Sequence, residues 1–348
     1  YMNSTVYING HKLGTRPYGY STFEYDLTPY INQKGDNVIA VKVDNSDQPN
    51  SRWYSGCGIY RHVWLTKTMK SAYIPQWGQY VATSPQGDVR VKVDFAASGN
   101  KMKLSVRNTI YDAAGKMVAK SQGVQEQKLR VKNPHLWDIG KGYLYTVKSE
   151  LLVNGKVVDV ATSTAGFRDV KFDAKKGFFL NGKNIKINGV CEHHDFGCLG
   201  AAVNEDAMHR KLTILRDMGV NAIRSSHNPP APELLNMCDS MGILVMDESF
   251  DMWRRKKSNG DYARFFDEWH KKDLSDLIKR DRNHPSIIMW SIGNEVLEQW
   301  SDAAADTLSL EQANLILNAG HDASTLAHSD ELSVNSLLTQ HLAKIVKE

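Results

Sequence analysis

The 348-residue chain is 41% hydrophobic and 24% charged, with a net charge of only +4, the balance of an ordinary soluble globular protein. No apolar stretch reaches the ~18–20 residues needed to span a bilayer. Lys and Arg are scattered apart from Arg254-Arg255-Lys256-Lys257, which reads as a short solvated loop, so neither a membrane nor a nucleic acid is an expected partner.

The first residues, Tyr1 to Thr5, carry no charged segment ahead of an apolar core. No signal peptide is therefore expected in this chain, which reads as beginning in mid-domain. Residues 1 to about 170 read as all-β. Val6-Tyr7-Ile8 and Leu13 flank Asn9-Gly10, a type I′ hairpin signal, and Val38 to Val43 is a further strand. Val89, Val91, Val93 and Phe95 alternate with polar residues, as do Met102, Leu104 and Val106. Tyr143, Tyr145 and Val147 lead into Leu151-Leu152-Val153, where Asn154-Gly155 turns the chain toward Val157-Val158. Strands at this spacing predict β-sandwich domains, with a boundary near Lys67 to Ser71.

After Asn181-Gly182 the rhythm changes. Asn184 to Val190 is read as a strand, and Met208, Leu212, Leu215 and Met218 as a helix capped by Asn204 and stopped by Gly219. A strand at 220–225, a helix at about 232–241, a strand at 243–247, a helix at 265–280 and an apolar strand from Ile287 follow. Repeated strand–helix units imply parallel strands with helical crossovers. Four such strands are half of an eight-stranded barrel, and a half barrel leaves open edges. Either the chain is a fragment or the remainder lies elsewhere. The last fifty or so residues read as helical, in Ala313 to Leu317 and Leu337 to Val346.

Each strand of the repeat ends in polar residues: Glu192-His193-His194-Asp195, Arg224-Ser225-Ser226-His227-Asn228, Asp247-Glu248 and Asn294-Glu295. In barrels of parallel strands, catalytic groups stand at those carboxyl ends. One such carboxylate alone could merely cap a following helix; four clusters in register point to a polar site. Adjacent histidines point apart and HExxH spacing is absent, which argues against metal ligation at residues 193–195. A hydroxyl-rich ligand fits the mixture of donors and acceptors, with Trp253 and Trp290 as candidate apolar faces for a sugar ring. Cys57, Cys191, Cys198 and Cys238 form no CxxC pairs and read as buried free thiols, a count that does not fix the compartment.

Three long segments carry a resemblance: Gly189 through Asp195, Asn221-Ala222-Ile223-Arg224-Ser225-Ser226-His227-Asn228-Pro229, and Asp281-Arg282-Asn283-His284-Pro285-Ser286 through Glu295. They are similar to the signatures of glycoside hydrolase family 2, the family of β-galactosidases, β-glucuronidases and β-mannosidases. The resemblance runs to about Trp300. It implies the C-terminal part of a sugar-binding jelly roll at 1–69, an immunoglobulin-like sandwich at 70–171, and at 172–348 the N-terminal half of a TIM barrel, about four strands of it. Residues 44–61 are similar to the end of that jelly roll.

The resemblance also implies roles. Glu295 is the expected general acid/base, with a pKa raised so that it starts protonated. Asn294 is expected to bond the sugar 2-hydroxyl. His193 and His227 are expected to contact the innermost sugar, Arg224 to orient the carboxylates, Asp247 to pair with Arg224 or substrate, and Asn50 to reach a sugar hydroxyl. A retaining mechanism needs a second carboxylate ~5–5.5 Å away as nucleophile. Glu298, Glu311, Glu331 and Glu348 follow no buried strand, so the nucleophile is expected outside this chain. Some members bind magnesium through Glu-x-His after the third strand, where this chain has Asp251-Met252-Trp253; no metal or cofactor is expected. The expected partner is a carbohydrate, a β-galactoside or related glycan, with homo-oligomerisation of the full-length protein left open. A β-glucuronidase, another β-glycosidase, or a non-catalytic carbohydrate-binding fragment are the alternatives.

Overall fold

The computed structural model describes residues 1–99, 102–296 and 330–348, the last segment with side chains from 338 onward. The expected helix at 313–317 lies outside the described residues. At the N-terminus β1 (Ser4–Ile8), β2 (His11–Arg16) and β3 (Ile39–Lys42) form an antiparallel sheet in the order β2-β1-β3. Asn9 (φ 48°) and Gly10 (φ 82°) both sit in the left-handed region, as a type I′ turn requires. This places Ile8 opposite His11.

Next come β4 (Ala72–Tyr73), β5 (Gln79–Thr83), β6 (Asp88–Val93), β7 (Ala96–Ala97), β8 (Leu104–Tyr111), β9 (Met117–Gly123), β10 (Glu126–Arg130), β11 (Tyr145–Val153) and β12 (Lys156–Ala165). They build a sandwich of sheets β10-β6-β5 and β12-β11-β8-β9. Strict alternation decides its core: Val89, Val91 and Val93 point inward against Val106, Ile110, Val147 and Leu151, all essentially inaccessible.

The strand expected over 184–190 divides in two. Asn181-Gly182 is a tight turn that folds β15 (Lys183–Asn184) back onto β14 (Gly177–Leu180), which also pairs with β13 (Val170–Asp173). Only β16 (Gly189–Glu192) enters the parallel sheet. There α1 (Glu205–Asp217), β17 (Ala222–Ser225), α2 (Pro232–Met241), β18 (Leu244–Glu248), α3 (Ala263–Asp281) and β19 (Ile287–Ser291) alternate, in the sheet order β16-β17-β18-β19. Asn204 caps α1 by accepting from the Ala207 amide at 2.9 Å. Ile223 and Val245 turn toward the helices and pack with Leu212, Leu235 and Cys238. The opposite face of the same strands carries Arg224, Met246 and, two residues on, Glu248. A final helix, α4 (Asp330–Lys347), lies against α3, with Leu338, Leu342 and Ile345 buried.

Two sets of contacts lock these parts together. Tyr1, Met2, Tyr18 and Tyr20 join Phe250, Trp253, Tyr262 and Phe266 in one apolar cluster. Arg16 pairs with Asp273 at 2.5 Å, both side chains almost fully buried. On the other side, Asn283 extends the sandwich edge: it accepts from the Val81 amide and donates to the Gln79 carbonyl, each at 2.9 Å. Arg282 donates to the Trp77 carbonyl, and Asp239 holds His284 and the Ser286 amide. The segment 281–286, prominent as a sequence signature, therefore joins the sandwich to the parallel sheet.

Among the described residues all four cysteines are free, but only Cys238 is buried. Cys57 lies in an irregular segment, Cys198 in a single exposed 3-10 turn (Gly197–Leu199), and Cys191 on the edge strand β16.

Candidate active site

Glu248 is the hub of the carboxyl ends of the four strands. Its side chain is wholly buried and accepts from Arg224 Nε at 3.0 Å and Nη2 at 2.9 Å, His227 Nδ1 at 2.7 Å and Ser291 Oγ at 2.5 Å. Burial works against the charge of Arg224, but Glu248 more than compensates, so the guanidinium pKa rises above its usual value. The same guanidinium donates to Asn294 Oδ1 at 2.8 Å, and Asn294 Nδ2 donates to Asp251 Oδ1 at 2.8 Å. Arg224, His227 and Asn294 are thus held by one charged network.

Asp247 does not belong to it. Strand alternation turns its side chain to the helix-covered face, beside Ser225 and, in register, Trp290. Asp247 is fully buried there, and burial together with the nearby Asp281 pushes its carboxyl well above the usual range. The partner expected for Arg224 is instead the next residue, Glu248. Trp290 is half-buried and packs against the core on that face, and Trp253 is 1% exposed with Nε1 donating to the Ile292 carbonyl at 2.8 Å. Trp253 is thus closed to a ligand, and Trp290 lies on the helix-covered side of the sheet rather than beside Arg224 and Glu248.

The aromatic surface comes from Trp53, which the sequence reading did not single out. Its ring stacks on His193 at 4.9 Å, and His193 meets His227 edge-on at 5.4 Å. Burial, reinforced by His227, lowers the His193 pKa, so the ring is held neutral while its buried Nδ1 has no hydrogen-bond partner among the described residues. The neighbouring His194 is structural: Nε2 donates to the Ala201 carbonyl at 2.9 Å, and burial drives its pKa down to about 3. Asn50 is also turned inward. It is 3% exposed, donates to Asn45 Oδ1 and accepts from Ser55 Oγ at 3.2 Å, so its amide serves its own loop.

Two residues beyond Asn50, Arg52 reaches the Glu295 carboxylate at 2.5 Å. Glu295 has φ 47°, a left-handed conformation costing a non-glycine residue about 1–2 kcal/mol. Its Oε2 also accepts from Lys257 Nζ at 3.2 Å. Lys257 is 3% exposed and bonds the Asn294 carbonyl and Asp251 as well, so this lysine is no solvated loop residue. The Arg52 hydrogen bond first, then Lys257, bring the Glu295 pKa down to about 2. The expectation of a raised pKa is corrected: two cations favour the ionised form, and the partial burial of Glu295, which acts the other way, is outweighed. Among the described residues no group of three or more His, Cys, Asp or Glu is arranged to hold a metal ion. Glu298 and Glu311 lie outside the described residues, as does the side chain of Glu331; Glu348 follows α4.

A parallel strand–helix unit with polar groups at its strand ends, preceded by antiparallel β domains, defines a multidomain β plus TIM-barrel protein. Two family models make this specific. Glycosyl hydrolases family 2 matches residues 73–168, and Glycosyl hydrolases family 2, TIM barrel domain, matches residues 170–335. The chain belongs to glycosyl hydrolase family 2. It is 56% identical to the β-galactosidase BoGH2A of Bacteroides ovatus, matching 100% of this chain and 42% of that protein. A putative β-glucuronidase of Formosa agariphila is 43% identical over 85% of this chain and 29% of its own length. A crystal structure of a family member from Bacteroides cellulosilyticus superposes with a TM-score of 0.82 at 40% identity, covering 88% of this chain and 41% of that one. The chain thus spans about two fifths or less of the length of these relatives.

Proposed function

We propose that the protein is a retaining exo-β-glycosidase acting on terminal β-galactosides, with Glu295 as its acid/base. The observation that carries this is the convergence of Glu295, Asn294, Arg224, His193 and His227 on one face at the ends of parallel strands. In this reading residues 1–69 close a jelly roll, 70–171 form an immunoglobulin-like linker, and the four parallel strands are half of the barrel.

Glu295 donates its proton to the glycosidic oxygen as that bond to the anomeric carbon breaks, and a second carboxylate bonds the carbon. Glu295 then takes a proton from water as the water oxygen displaces that ester, restoring both carboxyl groups. In this reading the second carboxylate is assigned outside this chain, and the chain alone is expected to show no turnover. Asn294, fixed by Arg224 and Asp251, is suited to the sugar 2-hydroxyl. Trp53 with His193 and His227 forms the wall of the innermost subsite. Asp247 and Asn50 are left out of the site.

The galactoside preference rests on similarity to the Bacteroides ovatus β-galactosidase; similarity to the Formosa agariphila protein favours glucuronide as the second reading. A panel of chromogenic β-glycosides tested on the full-length protein separates them. Glu295→Gln should slow phenyl β-galactoside hydrolysis by about three orders of magnitude, and dinitrophenyl β-galactoside far less, because that leaving group departs without a proton. Equal losses on both substrates count against the acid/base role.

A further inference from the structure

We propose that Arg52, supplied by the N-terminal β region, is a positioning residue for Glu295: it holds the carboxylate in its base form and must let go before Glu295 can act as the acid. The inference deepens the acid/base reading and rests on it.

Its basis is the arrangement around one oxygen atom. Glu295 Oε2 receives both Arg52 Nη2 at 2.5 Å and Lys257 Nζ at 3.2 Å, and the same two cations share Asp251 Oδ1 at 3.2 and 3.1 Å. The two cations differ in freedom. Lys257 is 3% exposed, whereas the Arg52 side chain is 41% exposed and has room to move into solvent.

A purely anchoring role is a poor explanation. The Arg52–Glu295 pair is exposed on both sides, and such pairs contribute about 0–1 kcal/mol; the N-terminal region is already fastened by the buried Arg16–Asp273 pair and the Tyr18–Tyr262 cluster. The reaction, by contrast, needs Glu295 in two protonation states. With both cations in place the ionised form dominates, which suits the step in which water gives up its proton. The step that cleaves the glycosidic bond needs the protonated form, and departure of Arg52 raises the affinity of Glu295 for a proton, which it takes from solvent. The charged groups facing Glu295 among the described residues are Arg52, Lys257 and Asp251, with Arg224 and Glu248 linked through Asn294.

A cation lowers the pKa of an acid, so it brings the alkaline fall of an acid-catalysed rate to lower pH. Removing the cation should move that fall upward, by about one to three pH units for a close pair. The test is kcat/KM against pH in the full-length protein for wild type, Arg52→Met and Arg52→Lys, with phenyl and dinitrophenyl β-galactosides. Arg52→Met should shift the alkaline limb upward on the phenyl substrate alone, and Arg52→Lys should keep it near the wild-type position. An unmoved limb in Arg52→Met, or equal shifts in both variants, overturns the proposal. If Arg52→Met melts well below wild type, Arg52→Gln takes its place under the same criterion. Glu295→Gln runs in parallel: failure to discriminate leaving groups there refutes the acid/base reading itself, whereas success there with an unmoved Arg52→Met limb refutes only the role of Arg52.

Discussion

Glu248 offers the sharpest prediction because its surroundings are fully specified. Four side-chain hydrogen bonds end on this wholly buried carboxylate, two from Arg224, one from His227 and one from Ser291. Removing one member of a buried ion pair costs about 3–5 kcal/mol. The Arg224 side chain is 28% exposed, so water can solvate the abandoned guanidinium; the lower end, about 3 kcal/mol, applies to Glu248→Ala. For a unit of roughly 180 residues each kcal/mol lowers the melting temperature by about 2–4 °C, so the drop should be about 6–12 °C. Glu248→Gln keeps the shape and an acceptor oxygen and should cost about 1 kcal/mol, or about 2–4 °C. Scanning calorimetry of the chain reads both. The reasoning is refuted if Glu248→Ala melts within about 2 °C of the parent, or if Gln is as damaging as Ala.

Asp247→Asn should do the opposite. The folded-state pKa of Asp247 is raised by burial and then by Asp281, so the carboxyl is harmless while protonated and increasingly destabilising as pH rises above the unfolded value of about 4. The amide should therefore raise the melting temperature at pH 8, by an amount corresponding to about 1–2 kcal/mol, and the gain should vanish near pH 3; an equal gain at both pH values contradicts the assignment. Gly242 ends α2 with φ 70°, and an added Cβ would lie 2.5 Å from both the Asp138 carbonyl oxygen and the Gly140 amide nitrogen. Gly242→Ala combines left-handed strain with a backbone clash and should cost about 3 kcal/mol, measured by denaturant midpoint; an unchanged midpoint contradicts the close approach drawn here.

Much of this molecule was legible in the residues because the relevant physics is local. Asn9-Gly10, Asn154-Gly155 and Asn181-Gly182 specify tight turns through the left-handed conformations they tolerate, and Val89, Val91 and Val93 declare a buried strand face by period two. Asn204 announces the start of α1 by the hydrogen bond its side chain can make. Long motifs carried the family, and with it the region in which Glu295 lies.

What the residues could not settle were choices that depend on register and on partners far along the chain. Between Asp247 and Glu248 the side chain that meets Arg224 is decided by pairing Arg224 with Met246, so that the residue two further on shares its face. Arg52 and Glu295 are 243 positions apart, and only the docking of the N-terminal region onto the parallel sheet brings them together. Local chemistry thus determined the turns, strands and caps. Tertiary structure decided which carboxylate is buried in a network, which is held ionised by cations, and which aromatic ring faces the site.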